Sequence, residues 1–176
     1  MEGKRLFQSN KKRNNLFILA VLIIGLVGYG LYSGYIYVHS YYKNEQITGV
    51  NMLLIHYIPG QSSTLESIKT TDKNEISEVI SLLNDRTVIK LFPDIGSVKV
   101  NSHDRLELRI ELISSTNLTL EYNISSLGQV EINKGFVNKF SNVMVLRGSK
   151  TTWFNEINAL YEEKKVGTLW SFTKLN

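Results

Sequence analysis

From Asn14 to Tyr42 the chain carries no Asp, Glu, Lys or Arg, and Leu16 to Val38 is a run of 23 residues dominated by Leu, Ile, Val, Gly and Tyr. At about 1.5 Å of rise per residue this run spans roughly 34 Å as a helix, enough for a hydrocarbon core of about 30 Å with modest tilt. A helix buried in a soluble domain would show a polar stripe over that length, and none is present. The pattern predicts a transmembrane helix over 16–38.

Beyond it the periodicity changes. Residues 1–15 read as a leader, 39–49 as a juxtamembrane connector and 50–176 as a folded domain. Val50–Ile58 is predicted as a first strand, stopped by the turn cluster Pro59-Gly60-Gln61-Ser62-Ser63, with Thr64–Thr70 returning. Asp72 stands three residues before Glu75, the pattern of a capped helix start. Ile76, Val79, Ile80 and Leu83 follow at helical spacing on one face, and Asn84-Asp85 ends the element.

Strict alternation then appears after a break at Pro93-Asp94. Leu106, Leu108, Ile110 and Leu112 interleave with Glu107, Arg109 and Glu111, and Leu118, Leu120, Tyr122 and Ile124 interleave with Thr119, Glu121 and Asn123. These are predicted as two half-buried antiparallel strands. Two registers keep the apolar face intact. One sets Leu112 opposite Leu118, Ile110 opposite Leu120 and Arg109 opposite Glu121. The other, two residues away, sets Glu111 against Glu121. Facing like charges are disfavoured by a few tenths to about 1 kcal/mol, so the first register is expected.

Gln129–Asn133 and Phe136–Leu146 supply further strand material. Ser149–Thr152 precedes Trp153, Ile157, Leu160 and Tyr161 at helical spacing, with Lys164 and Lys165 in the last turn and Gly167 as the expected C-cap. The tail carries Trp170 and Phe172, on one side if extended. Packing on the domain accounts for them, and a partner contact through Trp170 and Phe172 is the functional alternative. The expected class is α+β, an antiparallel sheet with two helices packed on one face, behind an N-terminal transmembrane helix.

Charge sharpens this reading. The net charge of +4 lies wholly in the leader, where Lys4, Arg5, Lys11, Lys12 and Arg13 oppose Glu2. Residues 43–176 balance, so the basic character signals topology and contact with lipid headgroups, and nucleic acid is not an expected partner. Only Lys43 follows the apolar run closely. The positive-inside rule therefore predicts a cytoplasmic N-terminus and an extracytoplasmic domain at the plasma membrane, single-pass.

Gly28-Tyr29-Gly30 offers a weak signal-peptidase site, which would make the segment a cleaved signal. Against cleavage, the apolar run continues to Val38. Tyr29, Tyr32, Tyr35, Tyr37, Tyr41 and Tyr42 also crowd its outer end, where tyrosine keeps its ring buried and its hydroxyl wet. An uncleaved signal anchor is expected. Gly30 and Gly34 form a GxxxG, the candidate contact for a homodimer through the membrane helix, although glycine is common in such helices anyway.

Candidate chemistry is sparse. With no Cys, a disulfide framework, a thiol nucleophile and a lipidated cysteine are excluded. His39, His56 and His103 are scattered, and Asp104 beside His103 reads as a solvated loop pair. Glu107 and Glu111 flank Arg109 as a self-compensating strand face, since a catalytic carboxylate pair needs a cleft that separates its pKa values. Gly148-Ser149-Lys150-Thr151 lacks the glycine spacing of a phosphate loop, and the Gly-x-Ser-x-Gly and His-Glu-x-x-His signatures are absent. No cofactor, metal or catalytic residue is expected. Asn117-Leu118-Thr119 and Asn123-Ile124-Ser125 are formal sequons that matter only in a eukaryotic secretory pathway.

Thr71-Asp72-Lys73-Asn74-Glu75-Ile76 with residues 77–85, and the closing Trp153-Phe154-Asn155-Glu156-Ile157, resemble the opening and terminal helices of a group of small bacterial domains. These domains, of unknown function, occur on lipoproteins and membrane-anchored proteins of low-GC Gram-positive bacteria. The resemblance covers roughly residues 65–163. It implies an extracytoplasmic location and a short sheet between two helices. This chain lacks the lipid-modified cysteine of those lipoproteins, and its apolar segment stands in that place.

The expected function is therefore a membrane-tethered domain that binds a protein or cell-envelope partner. The alternatives are a small subunit of a membrane complex acting through its helix, and a surface enzyme whose site is assembled from distant residues.

Overall fold

The computed structural model describes residues 15–32, 46–90, 104–116, 119–134, 143–145 and 148–175. The first element is the apolar helix α1, Asn15–Tyr32. The Pro93-Asp94 break and most of Phe136–Leu146 lie outside the described residues.

Chain order after α1 is β1 (Ile47–Tyr57), β2 (Thr64–Thr70), α2 (Lys73–Asn84), β3 (Val88–Lys90), β4 (Arg105–Ser114), β5 (Thr119–Ser125), β6 (Val130–Lys134), β7 (Val143–Val145), α3 (Lys150–Lys165) and β8 (Ser171–Leu175). Six strands form one sheet in the order β6-β5-β4-β1-β2-β8, and every adjacent pair is antiparallel. β3 and β7 form a separate two-stranded ladder. The molecule is an α+β protein with an N-terminal apolar helix.

β1 and β2 form an antiparallel hairpin around the turn cluster that the sequence marks. Gly60 sits at φ 75° in the intervening turn, a backbone state that costs glycine nothing. α2 starts as the sequence signals: the Asp72 side chain accepts from the backbone amides of Asn74 and Glu75, satisfying two donors that the first turn cannot pair. Ile76, Val79 and Leu83 are buried. They join Val50, Met52, Leu108, Ile110, Leu112, Leu120, Tyr122 and Ile124 from the sheet in a single core. Trp153, Phe154, Ile157, Leu160 and Tyr161 of α3 belong to the same core. There Trp153 meets Tyr122 edge to face, with ring centroids 6.2 Å apart.

Two expectations are corrected. The β4–β5 register sets Glu111 opposite Glu121, with Leu112 opposite Leu120, Ile110 opposite Tyr122 and Leu108 opposite Ile124. The facing carboxylates are each held by neutral donors. Asn51 Nδ2 donates to Glu111 Oε2 at 2.8 Å, and Asn123 Nδ2 donates to Glu121 Oε1 at 2.7 Å. Arg109 Nε lies 3.9 Å from the same Glu121 oxygen on the diagonal and donates to Asn123 Oδ1 at 3.1 Å. Amide donors from β1 and from β5 itself thus offset a repulsion that pairwise charge counting treats as decisive.

The second correction concerns the end of α3. Val166 is its C-cap at φ −97°, and Gly167 shows no positive φ. The glycine is needed for space: a Cβ at Gly167 would lie 3.2 Å from the Lys164 carbonyl oxygen, to which the Gly167 amide donates.

Candidate functional site

Each side chain of α1 is exposed except Leu31, which is partly covered. Its 18 residues carry the composition and length of a membrane span or a signal sequence, and none of its apolar side chains packs into the core. Tyr29 and Tyr32 stand exposed on the last turns of this helix. A Cβ at Gly30 would meet nothing within 4 Å. Lys4, Arg5, Lys11, Lys12, Arg13, Gly34, Tyr35, Tyr37, Tyr41 and Tyr42 lie outside the described residues, as do His39 and His103.

In the folded part, a groove of about 520 Å³ runs between α2 and α3. Glu78, Ser81, Leu82 and Asp85 line one wall, and Glu156, Ala159, Leu160 and Glu163 line the other. Amphipathic spacing explains the arrangement, because each helix turns its apolar stripe to the core and brings charged residues to the shared rim.

Two cations tie the walls together. Lys164 Nζ lies 3.1 Å from Glu75, 2.7 Å from Glu78 and 3.4 Å from Glu163. Arg86 reaches Asp85 at 2.9 Å and Glu156 at 2.6 Å. The hydrogen bond to Glu78, helped by Glu75, raises the Lys164 pKa, so the ammonium stays charged. The Glu75 carboxyl is held below its ordinary value, first by the hydrogen bond from Trp170 and then by Lys164. Carboxylates outnumber cations around this groove, so it presents negative charge above a floor of Leu82 and Leu160.

A second polar cluster lies at the far end of β1. His56 Nε2 is 2.7 Å from Asp104 Oδ1. The Arg105 guanidinium carbon sits 3.9 Å from the centroid of the Tyr57 ring. A cavity of about 240 Å³ lies beside them, lined by Tyr57, Arg105 and the turn residues Ile58, Pro59, Gly60, Gln61 and Ser63. Burial raises the Tyr57 pKa, with Glu107 adding to it, so this hydroxyl stays protonated and can donate but cannot act as a base. Burial likewise raises the Glu107 carboxyl.

The sequence pairs Asp104 with its neighbour His103; the β1–β4 register brings it to His56 instead, beside Tyr57 opposite Arg105. A contact across that separation has no local signal in the chain. Among the described residues, no three His, Asp or Glu side chains are placed to hold a metal ion.

Trp170 and Phe172 separate. Trp170 is buried, and its Nε1 donates to Glu75 Oε2 at 2.7 Å, so the indole is part of the core and offers no free surface. Phe172 is 45% exposed, with Lys165 Nζ 5.2 Å from its ring centroid. The packing reading therefore holds for Trp170, and Phe172 alone remains at the surface.

No protein-family model, no curated protein and no solved structure matches this chain.

Proposed function

We propose that the chain is a single-pass plasma-membrane protein held by an uncleaved signal anchor, with its N-terminus in the cytoplasm and its α+β domain outside. In this reading the outer domain binds a protein or cell-envelope partner and performs no catalysis. The observation that carries the proposal is α1, whose apolar side chains, apart from the partly covered Leu31, stand exposed and take no part in the core. An uncovered apolar helix in water would lose the transfer free energy that lipid supplies, about 25 cal/mol per Å² of apolar surface. The five basic residues before it and the balanced charge after it support the orientation.

The groove between α2 and α3 supports the binding role. Its carboxylate rim and apolar floor suit a segment that carries lysine or arginine beside aliphatic residues. Tethering keeps that surface near other membrane components and raises the effective concentration for binding.

The test combines topology with capture. Protease added to intact cells should remove the domain and spare the leader, and the full-length product should enter the soluble fraction only with detergent. Photocrosslinkers placed at Ser81 and Ala159, on opposite groove walls, should then trap a specific partner. Protection of the domain in intact cells would overturn the orientation, and an empty groove would overturn the binding surface.

A further inference from the structure

The corner between α3 and β8 exposes apolar side chains that the fold does not use. Within residues 166–172, Val166 is 86% exposed, Leu169 55% and Phe172 45%. Isolated exposed aliphatics are ordinary, but several within one tight corner mark a contact surface.

The position of this corner in the sheet is informative. The hydroxyl of Thr70 donates to the Leu169 carbonyl at 2.9 Å, and Thr70 pairs with Val50 near the start of β1. Ser171 at the start of β8 pairs with Lys69. The corner therefore lies at the end of the sheet where β1 begins, the end through which the chain arrives from α1. Residues 33–45 join Tyr32 to that end, a stretch that extended chain limits to under roughly 50 Å.

The opposite end of the sheet carries the β1–β2 turn and the β5–β6 turn with exposed Leu127. The charges around the corner are mixed. Lys69 and Lys73 are exposed there, while Glu162 and Glu163 near the end of α3 oppose them. Attraction at this surface must therefore be apolar first.

From this placement we infer that the Val166–Phe172 corner seats the domain on the lipid surface beside its own anchor, with Val166 and Leu169 inserted among the headgroups. The inference rests on the reading that α1 crosses the bilayer. Shallow insertion of about 5–10 Å is the depth at which apolar side chains leave water while neighbouring lysines keep their ammonium groups in it. The occupant is lipid because the short connection to the anchor keeps this end of the domain within reach of a bilayer, whereas a protein partner would have to compete for it.

The chain has no Cys, so single labels report cleanly. The full-length protein would carry an environment-sensitive dye on Val166→Cys, Leu169→Cys, Leu127→Cys or Ile24→Cys. It would be reconstituted in vesicles of phosphatidylcholine with a minority of phosphatidylglycerol. The expected result is blue-shifted emission at 166 and 169, most of it lost when nitroxide lipids are included, with little effect of iodide and no reversal at high salt. The label at 127 should show the reverse, and the label at 24 should be quenched as part of the anchor.

Quenching at 24 without quenching at 166 and 169 would overturn the seating and leave the anchor standing. Absence of quenching at 24 would overturn both. Shielding of 166 and 169 that depends on the protein-to-lipid ratio would assign the corner to a second copy and overturn the inference. Shielding that appears only in native membranes would assign it to a protein partner, with the same consequence.

Discussion

Glu107 and Tyr161 are the residues at which burial and polarity conflict most directly. Burial raises the Glu107 carboxyl above its ordinary pKa against the pull of Arg109 and Arg105. A group with a raised folded pKa contributes stability that is fully present below its unfolded value and lost as pH rises through the folded one. Glu107→Gln should thus be more stable than wild type at neutral pH, with the difference shrinking as pH falls below the unfolded carboxylate range. Urea titrations across pH, followed by the fluorescence of Trp153 and Trp170, read this directly; a less stable variant at neutral pH would mean that Arg105 outweighs burial. The Tyr161 hydroxyl is buried without a hydrogen-bond partner among the described residues, and burial raises its pKa strongly. Tyr161→Phe should leave stability unchanged or raise it by about 1 kcal/mol, because an unmet buried polar group costs more than its absence.

Among the elements, local signals carried β1, β2, α2, β4, β5 and α3, but not β3 or β8. Asp72 before Glu75, the alternation through Leu106–Leu112 and the spacing of Trp153, Ile157 and Leu160 all lead to elements the structure contains. What failed was pairing. The Glu111–Glu121 register depends on Asn51 and Asn123, and no single strand reveals that β1 will lie beside β4 and deliver Asn51. A paired Glu111→Cys and Glu121→Cys variant should form a disulfide on oxidation, because directly opposed Cα atoms lie about 4.5–5.5 Å apart, within the range a disulfide spans. Arg109→Cys with Glu121→Cys should not. Crosslinking in the second pair alone would restore the rejected register. β8 shows the same lesson at the sheet edge. Its pairing with β2 and the burial of Trp170 mean that deleting 168–176 removes a strand and part of the core. That truncation should destabilise the domain and leave β2 as a bare edge prone to association. Size-exclusion profiles would show this, and a monodisperse, stable product would contradict it.

For the whole molecule, the sequence shows an N-terminal apolar helix and an α+β fold but not where the grooves and exposed apolar corners lie. The acidic groove needs α2 and α3 side by side, and their residues are some seventy positions apart. The His56–Asp104 contact and the α3–β8 corner likewise arise only once distant strands are paired. Composition fixed the bulk of the charge argument because the leader is contiguous; the groove's local excess of carboxylates is hidden in a domain whose sum is neutral.

The placement of β1 has a mechanical consequence. It is the first strand after α1, yet it lies inside the sheet, paired with β4 from Ile47 to Tyr57 and with β2 from Val50 to His56. If α1 is the membrane anchor proposed above, a tug on it loads β1 lengthwise, and both flanking ladders must shear together before the strand can slide free. An edge strand in that position would unzip one rung at a time. Under the proposed anchoring, the domain would bear tension arriving from the bilayer along a strand held on both sides.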